Sequence, residues 1–170
     1  AQLNTKLKKT INDLKAKNLG YAFPIVRNND VNKVWNLRKA GLGLLSNIPG
    51  DEKSVTVIED TAVHVEQLPE YIAEIEKVFE DNNMTCVYHA HISTGELHLR
   101  PVLNLKKSED IEKFKMIAKE TVAIVKKYRG SFSGEHGDGR LRGSFIKEFF
   151  GEHVYGLLKE MKHSFDPNNL

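Results

Sequence analysis

Two stretches of this chain gather side chains that can bind a metal or move a proton. The first is Tyr88-His89-Ala90-His91-Ile92-Ser93-Thr94-Gly95-Glu96-Leu97-His98-Leu99-Arg100-Pro101. Side chains alternate between faces along a strand, so strands over 84–92 and 97–104, joined by a turn at 93–96, sort these residues. Met84, Cys86, Tyr88, Ala90 and Ile92 face the core, as do Leu97, Leu99 and Leu103. His89, His91, His98 and Arg100 then share the opposite face. Neutral imidazole is a common ligand of zinc and similar ions, and adjoining strands can bring several to one point. The competing reading is the solvated polar face of an amphipathic sheet.

The second stretch is Ser133-Gly134-Glu135-His136-Gly137-Asp138-Gly139-Arg140. Its three glycines call for tight turns or close backbone approach. A carboxylate beside an imidazole could supply one metal ligand and one general base. A turn-rich connection with incidental charges is the alternative. The phosphate-binding Gly-Lys-Ser/Thr ending, a GxGxxG after a strand and the HExxH zinc motif are all absent. Arg38 could clamp a carboxylate through its planar fork, against the ordinary reading of an arginine on a helix surface. Trp35 reads as core, and His64, His153 and His163 receive no role.

The elements around these stretches follow from periodicity. Leu3, Leu7, Ile11 and Leu14 mark a helix stopped at Asn18-Leu19-Gly20. A second helix starts near Asn29-Asp30, carries Val31, Val34 and Trp35, and fades at Gly41-Leu42-Gly43. Residues 48–53 read as a loop and 54–65 as one strand. Pro69 fits the first turn of a helix with Ile72, Ile75, Val78 and Phe79 as its stripe. Ser108 is expected to cap a long helix buried through Ile111, Phe114, Ile117, Val125 and Tyr128. The closing helix uses Phe149, Phe150, Val154, Leu157, Leu158 and Met161. This order predicts an α+β fold, an antiparallel sheet with helices on one face.

Composition narrows the function classes. The 170 residues are 40% hydrophobic and 28% charged, with a net charge of +2. That charge is too small to argue for nucleic acid. The single cysteine, Cys86, excludes an internal disulfide framework and favours a reducing compartment. No apolar run approaches the ~20 residues of a membrane span, so a cytoplasmic protein, at most peripheral at the inner membrane, is expected. The opening at Ala1 and the closing Phe165-Asp166-Pro167-Asn168-Asn169-Leu170 read as cuts from a longer polypeptide.

Five ordered segments together resemble the C-terminal region of FAD-linked oxidases of the vanillyl-alcohol-oxidase superfamily, nearest to the D-lactate dehydrogenase and glycolate-oxidase flavoprotein subunit family. They are Trp35-Asn36-Leu37-Arg38-Lys39-Ala40-Gly41, Glu59-Asp60-Thr61-Ala62-Val63, Ala90-His91 through Leu97-His98, Ser133-Gly134-Glu135-His136-Gly137 and Phe165-Asp166-Pro167-Asn168-Asn169. The resemblance implies that 1–170 form the substrate (cap) domain, ferredoxin-like, with an open sheet face over a flavin held by an absent FAD-binding domain. It implies His91, His98 and Glu135 as ligands of a divalent zinc or manganese ion. His136 would take the substrate proton, and Arg38, with Arg100 as a second candidate, would hold the substrate carboxylate.

The implied activity of the full-length protein is oxidation of a small 2-hydroxy acid, of D-lactate or glycolate type, by hydride transfer to FAD. The isolated chain would be inactive. An electron-transfer partner or an iron–sulfur domain would complete the system, although this chain carries no cysteine set for a cluster. Ser93-Thr94-Gly95-Glu96 stands where many relatives have Gly-Asp-Gly-Asn, and His89 lies outside the general motif, so the roles of Glu96 and His89 stay open. The alternatives are a metal-independent FAD-linked alcohol or sugar oxidase and a non-catalytic metal-binding domain of the same fold.

Overall fold

The computed structural model describes residues 2–170; Ala1 and the side chains of Leu42 and Ser46 lie outside the described residues. The chain divides into two compact units, Ala1–Leu44 and Leu45–Leu170.

In the first unit, helix α1 (Gln2–Ala16) ends where Asn18 and Gly20 take left-handed φ of 53° and 81°. Helix α2 starts at Asp30 as expected, and the Asp30 carboxylate meets Lys33 at 2.7 Å. It does not fade at Gly41–Gly43 but runs on to Ser46. Each interior glycine weakens a helix by only about 1 kcal/mol, less than the backbone ladder on either side restores. Trp35 is not core: it is 54% exposed. Two helices alone offer too little apolar surface to enclose an indole.

The second unit holds the sheet. Its strands are β1 (Lys53–Ser54), β2 (Glu59–Ala62), β3 (Cys86–His91) and β4 (Glu96–Leu103). Its helices are α3 (Leu68–Asp81), α4 (Ser108–Lys127), the single-turn α5 (Gly139–Arg142) and α6 (Ile146–Phe165). Strand β4 is central: β1 and β2 pair antiparallel along it, as does β3. The expected single strand over 54–65 is therefore two short ones. Val57 and Ile58 are buried in the turn between them, and Asp60, at φ 78°, shifts the register. An apolar run buried in a turn looks the same in sequence as one buried in a strand.

Ser131, after α4, makes an isolated antiparallel bridge to Ala62. The spatial order is thus Ser131, β2, β4, β3, with α3 and α4 as the crossovers. That is the ferredoxin-like pattern, with its last strand reduced to one bridge. Tyr71 and Ile75 of α3, Ile117 and Val125 of α4, and Leu97, Leu99 and Leu103 of β4 form one core cluster. The helices therefore cover one sheet face and leave the other open.

Several expectations fail at the edges. Tyr88 and Ile92 are exposed, because β3 is an edge strand and Ile92 falls in a 3-10 turn. Ile111 is also exposed. Ser108 is the first residue of α4 and not its cap; the Asp110 carboxylate accepts from the Asn104 amide at 2.8 Å instead. Helix α6 is interrupted at Gly151 (φ 82°), and Phe150, Val154, Leu157 and Met161 lie exposed along it. No helix among the described residues is long and apolar enough to cross a membrane.

Candidate functional site

The β3–β4 hairpin places His89 opposite His98, His91 opposite Glu96 and Val87 opposite Arg100. Gly95 makes its turn possible: φ is 75°, and a Cβ there would sit 1.9 Å from the Val63 carbonyl oxygen. His98, on the central strand, is buried, whereas His91, on the edge strand, is exposed. The loop over 131–138 follows the Ser131 bridge and crosses this open face. It carries Glu135 and His136 to the histidines.

Glu135 Oε1 lies 3.6 Å from His91 Nε2, 3.5 Å from His98 Nε2 and 3.2 Å from His136 Nε2. The His98 and His136 rings stack at 5.3 Å, and His91 meets His98 edge-on at 5.2 Å. Of the residues expected in the site, His91, His98, Glu135 and His136 therefore converge. Arg100 lies beside them but is committed: its Nη2 donates to Glu59 Oε1 at 2.5 Å. Arg38 lies on α2 in the first unit, exposed.

Three trios have ligand atoms close enough to share an ion: His91, His98 and Glu135; Glu59, His98 and His136; and Asp60, Glu135 and His136. Hydrogen bonds decide among them. Asp60 already accepts from the amides of Glu135 (2.7 Å) and His136 (2.9 Å) and from Ser133 Oγ (2.9 Å). Glu59 Oε1 is held by Arg100. In the first trio the ligand atoms make no contact as short as these among the described residues, the nearest outside neighbour being His136 Nε2, 3.2 Å from Glu135 Oε1. A tetrahedral ion with arms of about 2.1 Å separates its ligands by roughly 3.4 Å, close to the two separations of 3.5 and 3.6 Å measured here. The donor set fits a zinc-like or manganese-like cation.

The electrostatics agree. Burial holds His98 below its ordinary pKa despite the nearby Glu59 and Glu135 carboxylates, which keeps the ring neutral and its nitrogens available. Its buried Nδ1 has no hydrogen-bond partner but faces Glu59 Oε1 at 3.6 Å. A carboxylate behind a ligating imidazole fixes the tautomer and ring orientation. Glu59, matched only as part of a motif and given no role, thus belongs to the site. Periodicity could not find it, because the predicted strand ran straight through the turn that aims it.

Glu96 is buried, with Oε1 unpartnered. Burial, followed by its hydrogen bond with Asp60 and the charge of Glu135, raises its pKa to about 7. Burial acts to raise Asp60 as well, but hydrogen bonds from Glu96, the His136 and Glu135 amides and Ser133 outweigh it and hold that carboxyl down at about 2. Neither Glu96 nor His89 belongs to any of the three trios.

Residues 1–170 match the family described as FAD linked oxidases, C-terminal domain. The D-2-hydroxyglutarate dehydrogenase of Pseudomonas putida is 37% identical over 139 residues, covering 82% of this chain and 14% of its own length. That of Escherichia coli is 35% identical over 139 residues, with the same coverage of each chain. The mitochondrial D-lactate dehydrogenase (cytochrome) of Arabidopsis thaliana is 23% identical over 162 residues, 94% of this chain and 28% of the relative. The chain thus spans only 14% to 28% of the length of these relatives.

Proposed function

The chain belongs to the family of FAD linked oxidases, C-terminal domain, and from that premise we propose that it is the substrate-side domain of an FAD-dependent dehydrogenase oxidising a small 2-hydroxy acid to the 2-oxo acid. The observation that carries the reading is Glu135 Oε1 at 3.5 Å and 3.6 Å from His98 Nε2 and His91 Nε2, on the sheet face opposite α3 and α4. The relatives at 35% and 37% identity, named D-2-hydroxyglutarate dehydrogenases, favour a 2-hydroxy dicarboxylic acid over D-lactate or glycolate.

A zinc or manganese ion would supply Lewis acidity at the substrate hydroxyl, and FAD, held by a separate domain, would accept the hydride from C2. The chain's own residues do the rest. His91, His98 and Glu135 form the ligand set, and Glu59 Oε1 stands 3.6 Å behind His98 Nδ1. His136 takes the hydroxyl proton at Nε2, with Glu59 Oε1 4.0 Å from its Nδ1. Arg38 holds the substrate carboxylate. Arg100, paired with Glu59, is the second candidate for a substrate carboxylate. A cytoplasmic location, with an electron-transfer partner at the membrane, accompanies this reading.

The test is flavin bleaching in the full-length protein, with D-2-hydroxyglutarate, D-lactate and glycolate, before and after chelation. At least one acid should reduce the flavin, chelator should abolish most of the rate, and zinc or manganese should restore it. Bleaching by uncharged alcohols, indifferent to chelator, would overturn the proposal. So would metal binding with no bleaching by any acid. Arg38→Ala should lower kcat/KM by roughly 1.5–3 kcal/mol, the worth of a charge-assisted contact.

A further inference from the structure

Asp60 sits where its backbone is strained. Its φ of 78° is a left-handed value that a non-glycine residue adopts only at a cost. The residue is fully buried, and no apolar contact explains a carboxylate there. Its carboxylate is instead saturated by the loop that carries the site. Oδ1 accepts from the Glu135 amide at 2.7 Å; Oδ2 accepts from the His136 amide and from Ser133 Oγ, both at 2.9 Å. Its carbonyl oxygen accepts from the Gly134 amide at 2.7 Å. Four consecutive loop residues therefore hang on one side chain and its own peptide.

Arg142 closes the arrangement from the other side. Buried, it donates to the Glu59 and Phe132 carbonyls, to Gly137 O at 2.6 Å, to Ser133 Oγ at 3.2 Å and to Asp60 Oδ2 at 3.4 Å. Gly134 lets the loop come this close: a Cβ there would lie 3.2 Å from Asp60 Oδ1 and 3.3 Å from the Glu96 carboxyl carbon. Glu135 and His136 themselves are half exposed, with no core packing to aim them. Their orientation comes from their backbone.

We propose that Asp60 is a positioning residue of this site: its carboxylate, braced by Arg142, fixes the backbone of 133–136 so that Glu135 reaches His91 and His98 and His136 stacks on His98. The proposal rests on the reading of the site given above and adds the element that assembles it. Asp60 touches neither substrate nor cation; it acts through the two residues that do.

The test compares Asp60→Asn and Asp60→Gly in the full-length protein with wild type and with Ile75→Val, a core change that lowers stability without touching the loop. Asparagine tolerates the left-handed backbone but turns one acceptor into a donor facing donors. Glycine relieves the strain and removes the carboxylate altogether. Zinc affinity, by competition with a chromophoric chelator, should fall roughly 10- to 100-fold in both Asp60 variants and stay unchanged in Ile75→Val. Amide hydrogens of Glu135 and His136 should exchange at least about tenfold faster in the metal-free Asp60 variants. Wild-type zinc affinity in both variants would overturn the proposal. If wild type binds neither zinc nor manganese, the metal reading fails by itself, and the exchange rates decide: retained protection at Glu135 and His136 overturns the role of Asp60, lost protection upholds it.

Discussion

His98 shows how the site is tuned at the level of single residues. Burial holds its pKa below the ordinary value, the Glu59 carboxylate faces its Nδ1 at 3.6 Å, and Glu59 is held in turn by Arg100. Glu59→Gln would keep the shape and remove the charge. Zinc affinity should drop about tenfold or more, as when other carboxylates behind a ligating histidine are lost, and Arg100 would be left without its partner. Equal affinity in the variant would mean that Glu59 plays no part in orienting His98. Gly95 marks the other extreme, a residue defined by what it lacks. Gly95→Ala would put a methyl 1.9 Å from the Val63 carbonyl at a φ of 75°. The chain should lose more than about 1 kcal/mol, read from its urea midpoint, and a midpoint within error of wild type would contradict the turn described here.

Among the elements, the pairing of α3 with α4 decides which sheet face is open. Besides the buried core, the two helices are tied by Glu74, whose carboxylate meets Lys127 Nζ and Tyr128 Oη at 2.5 Å and 2.6 Å. The Lys127 hydrogen bond, then that of Tyr128, holds the Glu74 pKa below its ordinary value. A depressed carboxyl stabilises the fold above the ordinary glutamate range, and that contribution is lost as pH falls through the folded pKa. Lys127→Ala should therefore move the Glu74 titration upward, toward its ordinary value, when followed by NMR. No movement would show that the pair is not formed in solution.

For the molecule as a whole, the core cluster runs from Val55 to Phe149, and the described residues that form it all belong to the second unit. A chain of residues 45–170 should consequently fold alone, with a cooperative thermal transition and a structured near-ultraviolet spectrum. A broad, probe-dependent transition would mean that the core needs surfaces outside this unit. Trp35 and, on α6, Phe150, Val154, Leu157 and Met161 are exposed here, whereas Phe149 packs against the core as its pattern suggested.

Local patterning was enough for most helices and for the hairpin with its alternating faces, because alternation, helical period and glycine punctuation are short-range; it marked His91, His98, Glu135 and His136 only as candidates, and their roles came from the family resemblance. It failed where burial depends on a neighbour distant in sequence: Tyr88 on an edge strand, Trp35 without a third layer, the apolar run at 55–58 packed as a turn. The convergence of Glu135 on the histidines, the recruitment of Glu59 and the anchoring of 133–136 by Asp60 and Arg142 join segments roughly 40 to 80 residues apart. Contacts of that span exist only once the chain has closed on itself, and no pattern within one segment encodes their geometry.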